Sequence, residues 1–280
     1  MNNNLKKYYS IFALPTTAVF TIVFLIPFIL GLYLSFCEFT TVSDSVFTGI
    51  KNYTEVFKDE NFLNALWFTV KFTAVSVVSV NVIAFSLALL QTGKIKGTNF
   101  FRTVFFMPNL IGGIVLGYIW QLIINGILAR MGVTITYDPA YGFWGLVVLM
   151  NWQMIGYMMI IYIAGIGNIP KDLIDAAKVD GANAFGILRH VIIPMVMPSV
   201  TICLFLTLTN SFKLFDANLA LTDGAPSRQT SMLALDIYKT FYGAVGSQGI
   251  GQAKAVIFFL ILAAVSLIQL KITRKREVEA

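Results

Sequence analysis

The sequence predicts an all-α, polytopic membrane protein with six transmembrane helices, and three observations carry that expectation. Hydrophobic residues make up 57% of the chain and charged residues 12%, against about 25% charged in ordinary soluble domains. The apolar residues gather in runs of membrane length, a hydrocarbon core of ~30 Å being crossed by about 20 helical residues. Those runs are continuous rather than alternating, which argues against a membrane barrel. One transmembrane domain, 1–280, accounts for the whole chain, with no convincing internal repeat.

The expected spans are 11–36, 63–90, 104–128, 143–167, 191–214 and 254–270. Lys6 and Lys7 precede the first, whose apolar stretch exceeds the ~7–15 residues of a signal-peptide core. No small-residue cleavage site follows it, so it reads as a retained helix. The loop Cys37–Phe62 is polar, and its Thr48–Phe62 stretch predicts a short surface helix. In the second span Lys71 is expected to snorkel to the headgroups or to pair within the bundle. In the third, Gly112, Gly113 and Gly117 predict close helix packing.

Between the fourth and fifth spans, the segment Ile169–Pro194 has helical signals of its own. Pro170 suits a first turn, and Asp172 follows where negative charge meets the positive helix end. Ala176 and Ala177 leave a nearly bare face, and Gly181 supplies a stop or a close approach. The fifth-to-sixth connection, Phe215–Ala253, holds a turn at Asp223–Pro226. Within it, Thr230–Phe241 is expected to lie as an amphipathic helix on the outer surface. The last span is the shortest, and its basic tail anchors it at the headgroups.

Lysines and arginines orient the chain. Lys6, Lys7, Lys94, Lys96, Arg102, Lys171, Lys178, Arg189 and the tail Lys271–Arg276 fall on one side. Lys51, Lys58, Arg130, Arg228 and Lys239 fall on the other. The positive-inside rule therefore puts both termini and the Ile169–Pro194 loop in the cytoplasm of a multi-pass cell-membrane protein. The same bias accounts for the net charge of +6, so no nucleic-acid partner is expected; membrane lipid is.

Several chemistries are disfavoured. Cys37 and Cys203 are expected at opposite faces and unpaired, and no cluster suits a metal. His190 is the sole histidine, against a multi-histidine site. Neither catalytic residues nor a cofactor are expected, and no glycine-rich phosphate loop ends in Gly-Lys-Ser/Thr. An ion-coupled secondary transporter would want membrane-embedded carboxylates, which the span centres lack. A membrane enzyme would want clustered His, Asp or Glu.

Polar groups inside spans mark a pathway or an interhelical hydrogen bond. The candidates are Gln121, Asn151, Gln153, Tyr157, Thr207, Asn210 and Ser211, with Asn81, Asn109, Lys213 and Asp216 and the aromatic neighbours Trp120 and Trp152. Amides beside aromatics suit a solute that presents hydroxyls and apolar faces. Gln153 and Tyr157 share a helix face, as do Thr207 and Ser211, while Lys213 and Asp216 are expected to pair with each other or with a neighbour.

The run Asp175-Ala176-Ala177, then Gly181, then Val191-Ile192-Ile193-Pro194 resembles the cytoplasmic signature loop of permease subunits of binding-protein-dependent ABC importers. Gly49–Phe57, Phe100–Leu110 and Phe212–Pro226 are similar to the carbohydrate branch, and the last of them resembles the maltose and glycerol-phosphate first-permease type. Asp175 stands where the family usually has glutamate, and Val191 and Ile193 replace isoleucine and leucine. The resemblance implies that Asp175, Ala176, Ala177, Lys178 and Gly181 belong to a coupling helix, the loop 169–190 seating in an ATPase cleft. It also implies a second homologous permease, two ATP-binding cassette subunits, an extracytoplasmic solute-binding protein and a sugar substrate. A glycerol-phosphate ester or other polar solute is the alternative. Tyr157 falls where the maltose-type resemblance places a sugar-contacting tyrosine.

Overall fold

A computed structural model describes residues 13–93, 97–275 and 277. Lys6, Lys7, Ile11, Lys94, Lys96 and Arg276 lie outside the described residues. The architecture is all-α, and the chain divides into two compact units.

The first unit comprises Met1–Phe62 and Ile237–Phe259. Its apolar helix α1, Ala13–Leu34, contains a π-helical turn at Thr21–Leu25 and is buried along little of its length. Two two-residue strands follow, β1 (Cys37–Glu38) and β2 (Val46–Phe47), paired antiparallel with Cys37 opposite Phe47. Asn52, on helix α2 (Lys51–Lys58), ties this hairpin down by donating to the carbonyls of Ser35 at 3.0 Å and Cys37 at 2.8 Å.

The second unit comprises Leu63–Asp236 and Leu260–Ala280. Helix α3, Glu60–Thr92, begins in the first unit and continues through the second. The expected third span, 104–128, is interrupted. Helix α4 (Thr98–Phe106) runs into a 3-10 turn at Met107–Leu110, and α5 (Gly113–Leu128) starts afresh. The break follows from extended backbone at Ile111 and Gly112, just after Pro108. Gly112 thus caps α5 and meets no neighbour, whereas Gly113 and Gly117 do pack closely.

Helix α6, Pro139–Gly167, opens on an Asp138 cap whose carboxylate accepts from the Ala140 N–H at 2.7 Å. It is the most buried span, and Leu146, Leu149, Met150, Met158 and Tyr162 sit at the centre of the core. Its Gly156 touches the Phe105 carbonyl of α4, leaving no room for a side chain.

The expected fifth span, 191–214, bends sharply. Helix α7 (Lys171–Val179) is followed by α8 (Ala184–Met195), which meets α9 (Met197–Phe212) at 70°. Pro198 in the first turn of α9 has no N–H to return to Pro194, so the hydrogen-bond ladder fails at the bend. Counting that bent pair as one, six segments among the described residues are long and apolar enough to cross a membrane.

Two helices lie in the fifth-to-sixth connection: α10 (Asp216–Leu221) and α11 (Leu233–Gly243). The start of α11 is buried at Leu233, Leu235 and Asp236, not laid on a surface. The last span, α12, runs Gln248–Arg274 and is longer than 254–270. Lys254 reads from sequence as a span boundary, yet it is fully buried within the helix, where it donates to Asp59 Oδ2 at 2.6 Å and Thr240 Oγ1 at 2.7 Å.

Candidate functional sites: an exposed helical loop and a polar cavity

The loop after α6 is built to stand out from the bundle without losing its shape. Helix α7 ends in a hydrogen-bonded C-cap: the Ala182 N–H donates to the Ala177 carbonyl at 2.9 Å and the Gly181 N–H to the Lys178 carbonyl at 3.0 Å. This cap requires a left-handed residue, and Gly181 supplies it at φ +80°. An added Cβ there would meet nothing within 4 Å, so the glycine serves the turn and not a close approach inside this chain. Asn183 then caps α8, its side-chain oxygen accepting from the Gly186 N–H at 2.8 Å.

Asp175, Ala176 and Lys178 are exposed and Ala177 is half-buried. Lys178 donates to Asp175 Oδ1 at 2.8 Å, and that bond and charge hold the Asp175 carboxyl below the usual carboxylate range. Val179 and Phe185 add apolar surface, 87% and 67% exposed. At its base the loop is not loose: Ile169 belongs to the buried core, and Ile174, Val191 and Ile192 pack against it.

The second site is a cavity of about 380 Å³. Gln153, Tyr157, Met150 and Met154 reach it from α6 and Asn210 from α9; Asn109, Gly113, Lys213 and Asp216 complete its polar rim. Gln153 donates to the Ile111 carbonyl at 3.4 Å, across the break before α5. Asn210 is braced by the Leu206 carbonyl at 2.8 Å. Phe106 meets Tyr157 edge-on at 6.3 Å. Lys213 and Asp216 form no ion pair among the described residues, because α9 has ended at Phe212 and the helical i, i+3 geometry is lost. Both charges face the cavity instead.

The remaining sequence candidates turn elsewhere. Asn151 donates to Ser79 Oγ at 2.9 Å, bridging α6 and α3. Thr207 accepts from Asn81 at 3.2 Å, and Tyr162 donates to the other side of that amide at 2.7 Å. Gln121 donates to the Leu221 carbonyl at 3.0 Å, joining α5 to α10. Ser211 is fully buried, its hydroxyl without a hydrogen-bond partner among the described residues, next in sequence to the cavity residue Asn210. Trp120 and Trp152 meet edge-on at 5.6 Å.

Sequence reasoning missed Asn218. Its amide donates to Thr222 Oγ1 at 3.1 Å and to the Thr230 carbonyl at 2.8 Å, while its oxygen accepts from the Met232 N–H at 2.9 Å. It closes the connection that carries Asp216 into the cavity. Its only sequence signal is an asparagine inside the short apolar run Ala217–Leu221.

The family described as "Binding-protein-dependent transport system inner membrane component" matches residues 5–278. The chain belongs to it. This family member is 47% identical to the probable starch degradation products transport system permease protein AmyD of Thermoanaerobacterium thermosulfurigenes, over 97% of this chain and 96% of that protein. It is 28% identical to the multiple sugar-binding transport system permease protein MsmF of Streptococcus mutans, over 98% of each. Its fold is similar to that of a chain from a bacterial ABC transporter involved in the import of alginate, with a TM-score of 0.83 and 19% identity over 97% of each chain. Membership makes it a membrane-spanning transport subunit and not an enzyme.

Proposed function

We propose that this family member forms half of the translocation pathway of an ABC importer for a sugar or oligosaccharide. A second homologous permease, two ATP-hydrolysing subunits and an extracytoplasmic solute-binding protein complete the assembly. The observation that carries the reading is the cavity where Gln153, Tyr157 and Asn210 meet Asn109, Lys213 and Asp216. Amides and a phenol offer donors and acceptors to hydroxyls, and the tyrosine and methionine surfaces suit an apolar ring face. One cation and one carboxylate on the same rim favour a neutral solute over a phosphate ester, whose dianion would meet Asp216. The names of the relatives, for starch products and multiple sugars, support the same class.

The loop carrying Asp175, Ala176, Ala177, Lys178 and Gly181 is the coupling element, with both termini on its cytoplasmic side. Its caps make it stiff, and its base is packed into the core through Ile169 and Ile174. A displacement imposed on α7 by closing ATPase subunits is therefore handed to α6 and to the bent α8–α9 pair. ATP binding opens the pathway outward, and hydrolysis returns it inward.

Two variants of the assembled complex test this. Gly181→Asp should abolish uptake and sugar-stimulated ATP hydrolysis; normal levels of both would remove the coupling role. Gln153→Ala and Tyr157→Ala should lower uptake at least several-fold with assembly intact, and unchanged uptake would take them out of the pathway.

A further inference from the structure

A second and larger cavity, about 540 Å³, lies within the second unit and shares no lining residue with the cavity described above. Asn64, Trp67, Phe68 and Lys71 line it from α3, and Phe143 and Trp144 from α6. On α3 these positions follow the spacing of one helix face. Both elements contribute residues from their N-terminal parts: at 1.5 Å per residue, Asn64 and Lys71 lie roughly 6 and 17 Å along α3 from its start. Tryptophans and snorkelling lysines of this kind concentrate where a span meets the headgroups.

The walls are aromatic. Phe68 and Phe143 meet edge-on at 5.7 Å, as do Phe143 and Trp144 at 5.3 Å. Trp67 and Trp144 are nonetheless 61% and 58% exposed. Lys71 sits over the Trp67 ring, its ammonium 5.7 Å from the ring centre. Among the described residues no carboxylate lies within ion-pair distance of it. Lys71 is exposed on this cavity, so its ammonium is open to an anion arriving there.

We propose that this cavity binds a phospholipid through its phosphate. Lys71 holds the phosphate, the Asn64 amide donates to the headgroup, and the glycerol and upper acyl carbons lie against Trp67, Phe68 and Trp144. One cation with two amides, Asn64 and Gln229, beside a largely aromatic wall matches a monoanionic phosphodiester joined to hydrocarbon. A neutral sugar would leave the charge of Lys71 unanswered, and a free phosphate ester would leave the aromatic walls bare. A net-anionic headgroup such as phosphatidylglycerol is preferred over phosphatidylcholine, whose trimethylammonium would face Lys71.

The test uses the intact transporter complex in detergent, titrated with phosphatidylglycerol or phosphatidylcholine and read by native mass spectrometry. Wild-type protein should retain phosphatidylglycerol at least fivefold better than phosphatidylcholine. Lys71→Gln should erase that preference, and Lys71→Arg should restore it, which separates loss of the charge from loss of the fold. Equal retention of the two lipids by wild-type protein, or a preference that survives Lys71→Gln, would overturn the site. Binding of soluble glycerol 3-phosphate as tight as that of the lipid would overturn the lipid source and assign a free ester. Saturable quenching of tryptophan fluorescence by maltotriose, lost in Trp67→Leu, would overturn it in favour of an outer sugar site.

Discussion

Gly181 shows how much a single backbone angle carries. Its cap bonds exist only because the residue sits at φ +80°, and an L side chain there costs about 1–2 kcal/mol. Because nothing lies within 4 Å of an added Cβ, Gly181→Ala tests the turn alone. It should loosen α7, seen as faster amide exchange across Lys171–Val179, and reduce uptake without lowering membrane abundance. Asp175 is the other informative residue. Its carboxyl lies below the ordinary 3.8, first through the Lys178 hydrogen bond and then through that lysine's charge. A depressed carboxylate contributes fully above its ordinary value and is lost only as pH falls through the lowered one. The ratio of ATPase rates for wild type and Asp175→Asn should therefore stay flat from about pH 6 to 8. A slope in that range would assign the titration to another group.

At the level of elements, polar contacts decide where helices begin and how they are held. Asn218 binds both ends of the α10 connection, and Asn218→Ala strands the Thr230 carbonyl and the Met232 N–H in a buried site. At about 1–3 kcal/mol for each stranded group, the purified complex should melt measurably lower, and uptake should fall because Asp216 is displaced. The Asp59–Lys254 pair does the same for the first unit. Burial pushes the Asp59 carboxyl up, but the Lys254 hydrogen bond and charge and the Asn61 N–H outweigh it, leaving a net lowering. Asp59→Asn removes the counter-charge from a fully buried ammonium, a change of about 3–5 kcal/mol. Thermal unfolding should report the loss, and Asp59→Asn with Lys254→Met should recover most of it. Gly156 sets the approach of α6 to α4, where any side chain meets the Phe105 carbonyl. Periodicity cannot announce that contact, since a glycine in an apolar run reads only as a weak point.

At the scale of the whole molecule, the six apolar runs and the loop between the fourth and fifth were legible in the sequence. Hydropathy reports which residues leave water, and that is a one-dimensional property. The Ile169–Pro194 loop was legible for a related reason: its proline, alanines and glycine act locally, through caps and turns. The cavity was legible only in part. Gln153, Tyr157 and Asn210 reach it, while Asn151, Thr207 and Gln121 spend their hydrogen bonds on neighbouring helices. An intramembrane amide looks the same in sequence whether it faces a solute or a helix. At this scale the expectation is a transporter that discriminates by charge as well as shape. Asp216→Asn should relax the exclusion of phosphorylated sugars, measured as competition with uptake of the neutral oligosaccharide.

Composition, apolar run length and capping chemistry by themselves determined that this chain is a helical membrane protein with one exposed, stiff, alanine-faced loop. Each of those properties depends on residues within a turn or two of one another. The tertiary structure alone decided the break before α5, the bend at Val196, the burial of Lys254 and the pairing of the polar residues. Those outcomes depend on which distant groups come within hydrogen-bond reach, and that reach is set by packing.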